Sequence, residues 1–80
     1  MTEDAYRPIA CADYDIYEIA LMKNKSLVLA WVDSSGREQQ HIVKPINLSI
    51  VNRAEYLLIE FMGAEQSIRL DRILSASIQE

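Results

Sequence analysis

At Ser26 the spacing of apolar residues in this chain changes from the helical 3.6 to the strand period of 2, and it changes only once. A chain with that pattern can form one short N-terminal helix followed by strands. The helix is expected over about residues 12–24. Asp15, Glu18 and Met22 share one stripe, Ile16, Ile19, Ala20 and Lys23 the next, and Tyr14, Tyr17 and Leu21 a third. Asp13 reads as the N-cap, because its carboxylate can accept the free N–H groups of the first turn. Acids early in the segment, with Lys23 and Lys25 late, suit the helix dipole.

Strands are expected over about 26–78. The first runs from Leu27 to Val32 and is closed by Asp33-Ser34-Ser35-Gly36, a hairpin-turn composition. The second runs from 37 to about 45, where Pro45, which cannot donate to a ladder, ends the strand or places it on an edge; 46–53 is a connection of unassigned path. The third covers 54–61, with Leu57, Ile59 and Phe61 on one face and Tyr56, Leu58 and Glu60 on the other. After a turn at 62–65, a fourth strand is expected at 66–71 and a fifth through Leu74, Ala76 and Ile78. A flat five-stranded sheet in 80 residues would leave an apolar face wet. The expected architecture is therefore mainly β, a single domain in which a strongly bent five-stranded barrel carries the helix at one end.

Several chemistries lack their residues. His41 is the only histidine and has no accompanying nucleophile motif, so a structural or solvent-facing role is expected and the chain does not read as an enzyme. One Cys and one His cannot build a zinc site, no acidic spacing matches a calcium loop, and Gly36 and Gly63 sit singly in turns, so no metal, phosphate loop or other cofactor is implied. Cys11 reads as a small apolar residue under the helix. The longest apolar run, from Leu27 to Val32, is six residues, far short of the roughly 20 needed to span a bilayer. An acidic N-terminus and a lone cysteine point to the cytoplasm.

The informative feature is where the charge lies. Residues 1–18 hold Glu3, Asp4, Asp13, Asp15 and Glu18 against Arg7 alone, whereas 19–80 hold seven acids and seven bases, so the net charge of -4 is entirely N-terminal. Carboxylates gathered within about one Debye length, roughly 8 Å at physiological salt, attract a basic partner and repel phosphate. Tyr6, Tyr14 and Tyr17 lie among them, and a mixture of flat hydrogen-bonding rings with carboxylates suits a surface that receives arginine and lysine. The competing reading is that the acids only solubilise the domain while Tyr14 and Tyr17 pack the helix onto the barrel.

The block Tyr6-Arg7-Pro8-Ile9-Ala10-Cys11-Ala12-Asp13-Tyr14-Asp15-Ile16-Tyr17-Glu18, with Glu55-Tyr56-Leu57-Leu58 and Arg69-Leu70-Asp71-Arg72-Ile73 downstream, resembles the Rho-binding antiterminator (Rof) family, small bacterial inhibitors of transcription termination factor Rho. The resemblance runs over nearly the whole chain. It implies an Sm-like fold without the RNA surface and ring assembly of true Sm proteins, and hence a monomer. It also implies a partner, the hexameric RNA helicase Rho, whose primary sites hold single-stranded RNA in a basic groove. Matched position by position, the partner-binding motif falls on Asp13, Tyr14, Asp15 and Glu18, with Asn52 and Arg53 as a second contact. Ala12 stands where the family can carry another acid, which implies a weaker field here. The alternative from a different class is an Sm-like RNA-binding module using Lys23, Lys25, Lys44, Arg53, Arg69 and Arg72. It is disfavoured by an acidic chain with no RNA-binding motif.

Overall fold

The computed structural model describes residues 11–79. Readings that rest on Asp4 and Tyr6, or on the side chains of Cys11 and Ala12, lie outside the described residues. Helix α1 (Cys11–Met22) precedes five strands, β1 (Leu27–Val32), β2 (Glu38–Val51), β3 (Ala54–Phe61), β4 (Ala64–Arg69) and β5 (Ile73–Ile78), with a 3₁₀ turn (Leu70–Arg72) between the last two. No described helix is long and apolar enough to cross a membrane.

The helix is already formed at Cys11, so Asp13 is not its N-cap. Asp13 sits inside the first turn, where a carboxylate still complements the positive end of the dipole. The C-terminus closes with a Schellman arrangement. Asn24 takes a left-handed φ of 55°, the Lys25 N–H donates to the Ala20 carbonyl at 2.9 Å, and the Asn24 N–H donates to that of Leu21 at 3.3 Å.

The strands form one antiparallel sheet in the order β4-β3-β2-β1-β5. β2 does not stop at Pro45; it runs on to Val51, and the segment expected to be a connection is strand. The ladder of β2 with β1 ends at the Leu27↔Val43 pair, so at Pro45 the strand has β3 as its neighbour and only one ladder to satisfy. Immediately after it, Ile46 is an extra residue between the Pro45↔Ile59 and Asn47↔Leu58 pairs. A proline inside a long strand is tolerated at such a bulge. The bulge also switches which residues face inward, from Val43 and Pro45 before it to Leu48 after it.

Two edges with a three-residue link between them decide the shape. A flat sheet would separate β4 from β5 by four strand spacings, about 19 Å. A 3₁₀ turn of three residues advances only about 6 Å. The sheet therefore curls until its edges approach, but no ladder joins β4 to β5 among the described residues, and the barrel stays open along that seam. Sequence expectations for the fourth strand shift accordingly. It starts at Ala64 and ends at Arg69, and Leu70–Arg72 turns the corner.

Inside the curl lie Leu27, Leu29, Trp31, Val43, Leu57, Ile59, Ile68 and Leu70, joined from the helix by Tyr17 and Ala20. The alternation in β1 and β3 expected from sequence is present, with Leu57 and Ile59 fully buried and Glu60 exposed. Asp33 organises the β1–β2 turn. Its Oδ1 accepts the N–H groups of Ser35 and Arg37 (both 3.0 Å) and the Ser35 hydroxyl, and its Oδ2 accepts from the Gln39 amide at 2.9 Å. The Gln39 side-chain bond leads the donors that hold the Asp33 carboxyl well below the usual carboxylate range.

The other two hairpins close with two-residue turns in which both residues have positive φ, Asn52 and Arg53 in one, Met62 and Gly63 in the other. This is the type I′ geometry that matches strand twist, and it favours Asn-Gly. Met62 is 86% exposed, so it packs little and pays the left-handed penalty. Met62→Asn is expected to raise stability by about 0.5–1 kcal/mol. An increase in the urea midpoint at unchanged slope checks it, and an unchanged midpoint would show that the turn carries no such strain.

Candidate acidic docking surface

The six residues singled out for partner contact fall on two elements. Asp13, Tyr14, Asp15 and Glu18 are on α1, and Asn52 and Arg53 form the exposed β2–β3 turn. Helical geometry separates the four on α1. Asp15, Glu18, Ile19 and Met22 are all exposed and form the face turned away from the barrel. Tyr17 and Ala20, one turn apart, are buried against it, with Ile16, Tyr14 and Leu21 half-buried at the flanks. The expected Ile16–Ile19–Ala20–Lys23 stripe is thereby split, because the buried line is centred on Tyr17 rather than on Ile19. Asp13 lies one turn before Tyr17, in the first turn of α1. It lines a small cleft between α1 and β5 together with Tyr17 and Ile73, so it does not share the face of Asp15 and Glu18.

The two tyrosines have different environments. Tyr17 is 3% exposed, and burial first, then the Asp13 carboxylate, push its hydroxyl up to about 12. It serves packing. Tyr14 is half-buried, and its hydroxyl is raised by burial and then by the negative charges of Glu55 and Glu18. Glu55 opens β3 just after the Asn52–Arg53 turn and stands opposite Ile50 in the ladder. The turn end of the β2–β3 hairpin is thus within electrostatic range of Tyr14.

Raising Tyr14 above its ordinary value keeps it a neutral donor, able to bond a carboxylate, carbonyl or phosphate while offering its ring face to a cation. Around it the exposed carboxylates of Asp15 and Glu18, at i and i+3, project close together from one helix face. The chemistry of this surface is that of a receiver of cationic groups. Among the described residues there is no cluster of three or more His, Cys, Asp or Glu groups positioned for a metal. His41 is held structurally. Its ring lies 4.2 Å from that of Phe61 and 5.8 Å from that of Trp31, and Nε2 is 3.1 Å from the Gln39 Oε1.

The chain is 38% identical to "Protein rof" of Escherichia coli (strain K12) over 77 residues, covering 96% of this chain and 87% of that one. The protein of the same name in Shigella flexneri matches equally. Part of the proteasome accessory factor B/C (PafBC) of Arthrobacter aurescens superposes at a TM-score of 0.79 and 15% identity, covering 94% of this chain and 12% of that one, a likeness of fold alone. Residues 8–80 match the family described as "Modulator of Rho-dependent transcription termination (ROF)", and with the two relatives above this establishes that the chain belongs to the ROF family.

Proposed function

We propose that this protein inhibits Rho by laying the exposed face of α1 on the basic groove where Rho holds single-stranded RNA, so that termination falls. The supporting observation is that Asp15 and Glu18 project together from a helix whose opposite side is fixed by Tyr17 and Ala20. A groove built for RNA presents cations for phosphates and aromatic platforms for bases. Carboxylates can take the place of the phosphates, and Tyr14 the place of a base. Asn52 and Arg53 extend the contact from the neighbouring hairpin, and Asp13 supplies long-range attraction from the helix end. The protein acts as a cytoplasmic monomer, with Rho as its partner and no catalytic step of its own.

The alternative RNA-binding reading needs its six cations in one patch. Lys23 and Lys25 follow α1, Lys44 is in mid-β2, Arg53 is in a hairpin turn, and Arg69 and Arg72 flank the 3₁₀ corner. They come from separate elements of the chain, and Arg69 and Arg72 line a common groove.

Titration of the protein into Rho carrying a fluorescent pyrimidine-rich oligonucleotide is expected to displace the oligonucleotide, less effectively as salt rises. Folded protein that displaces nothing at any concentration would rule out competition for the RNA groove.

A further inference from the structure

On the outer face of α1 the two carboxylates make up only half of a longer stripe. At about 100° per residue, Met22 stands within about 20° of Asp15 around the helix axis, between Glu18 on one side and Ile19 on the other. Met22 is 77% exposed and Ile19 37%. Apolar residues scattered singly over a surface need no explanation, but these two are neighbours at i and i+3 and continue a row of charge.

Methionine at position 22 runs against what the helix alone would favour. The last turn of α1 contains no basic residue. A lysine there would complement the negative end of the dipole and stand four residues after Glu18, the favourable order for an ion pair. The cations Lys23 and Lys25 come only after α1, and Lys23 is turned about 100° away from Met22. Met22 forgoes that stabilisation and leaves Glu18 without a cation at i+4. What it supplies is an unbranched, polarizable side chain that adapts to irregular surfaces and contacts aromatic rings favourably. A groove for single-stranded RNA presents cations for phosphates beside aromatic platforms for bases. The stripe of Asp15, Glu18, Ile19 and Met22 complements both, with charge in its N-terminal half and apolar surface in its C-terminal half.

We propose that Met22, flanked by Ile19, covers an aromatic base platform of the RNA groove of Rho while Asp15 and Glu18 pair with its cations. This contact, which rests on the docking of α1 proposed above, is apolar, so its strength does not follow ionic strength as that of the carboxylates does.

The test uses the whole protein labelled with ¹³C at the methionine methyl groups, of which the chain has three. When Rho is added, the Met22 methyl resonance, assigned with Met22→Leu, should move upfield through the ring current of the platform, while that of Met62 in the β3–β4 turn stays in place. In competition against the fluorescent oligonucleotide, Met22→Gln keeps the length of the side chain and adds a polar end. It should bind at least about fivefold more weakly than the parent at each of two salt concentrations, with an unchanged thermal melt. Met22→Leu should lose less than Met22→Gln. Glu18→Gln should behave differently, its deficit shrinking as salt rises. A parent protein that displaces no RNA would overturn the docking of α1 and this contact with it. A parent that displaces RNA while the Met22 methyl keeps its position, or while Met22→Gln competes equally well or loses its deficit at high salt, would overturn the apolar contact alone.

Discussion

Asp15→Lys is expected to abolish displacement of RNA from Rho while leaving the free domain folded. Asp15 is exposed on the outer face of α1, so the substitution removes no core contact and stability should change by no more than about 0.5 kcal/mol. In a domain this small that moves the melting midpoint by no more than about 4 °C. Binding behaves differently. Truncating a carboxylate that is desolvated against a cationic partner costs about 2–5 kcal/mol, or roughly 30-fold to several thousand-fold in affinity, and a lysine adds repulsion to that loss. Glu18→Ala, on the same face, should weaken binding to a comparable degree as a truncation. Asp13→Ala should mainly slow association, because Asp13 lines the β5 cleft and is not on the outer face of α1. The measurement is the competition titration with each purified variant, alongside its thermal melt. If Asp15→Lys still displaces RNA at the wild-type concentration, the helix face is not the contact surface.

Most of this arrangement was legible in the residues. The switch of period at Ser26 separated helix from strands, and the Asp15–Glu18–Met22 stripe is the exposed face. Where reading failed, the deciding fact was a partner distant in sequence. Pro45 left two readings, a strand end or an edge position, because a proline breaks a ladder with two neighbours; the strand runs on, and at Pro45 it has one neighbour and a bulge. Asp13 looked like a cap because the composition of the helix start is the same whether the cap falls before or after Cys11. The effect of the Glu55 charge on Tyr14 has no local signature, since it depends on how β3 pairs with β2. The open seam also corrects the idea of a closed barrel: curvature follows from connectivity, while closure would need a β4–β5 ladder that does not form.

The attachment of the helix gives the largest expected effect on stability. Tyr17 is 3% exposed and, with Ala20, joins α1 to the core around Leu27, Leu29 and Val43. Tyr17→Ala should cost about 3–5 kcal/mol, the range for removing a buried aromatic ring. Small domains have on the order of 5–15 kcal/mol in all, so a large fraction of the variant should be unfolded or have α1 detached, and displacement of RNA should fall with it. Tyr17→Phe separates packing from polarity. It keeps the ring and the exposed face of α1, and it should compete with RNA as the parent does. It should also remove a pH dependence. Because burial holds the folded hydroxyl at about 12, above the ordinary value of 10.0, the unfolded chain gives up this proton first. Stability from Tyr17 is complete below pH 10 and is lost as pH rises toward 12, at a limiting slope of about 1.4 kcal/mol per pH unit. Urea titrations between pH 9 and 11.5 should therefore show a steeper fall in the parent than in Tyr17→Phe. Parallel curves, or a Tyr17→Ala variant that loses less than about 1 kcal/mol, would mean that the ring is not what fixes the helix. A fixed helix matters for function because a face that is already ordered loses little conformational freedom on docking, so its charges count toward affinity rather than toward ordering the chain.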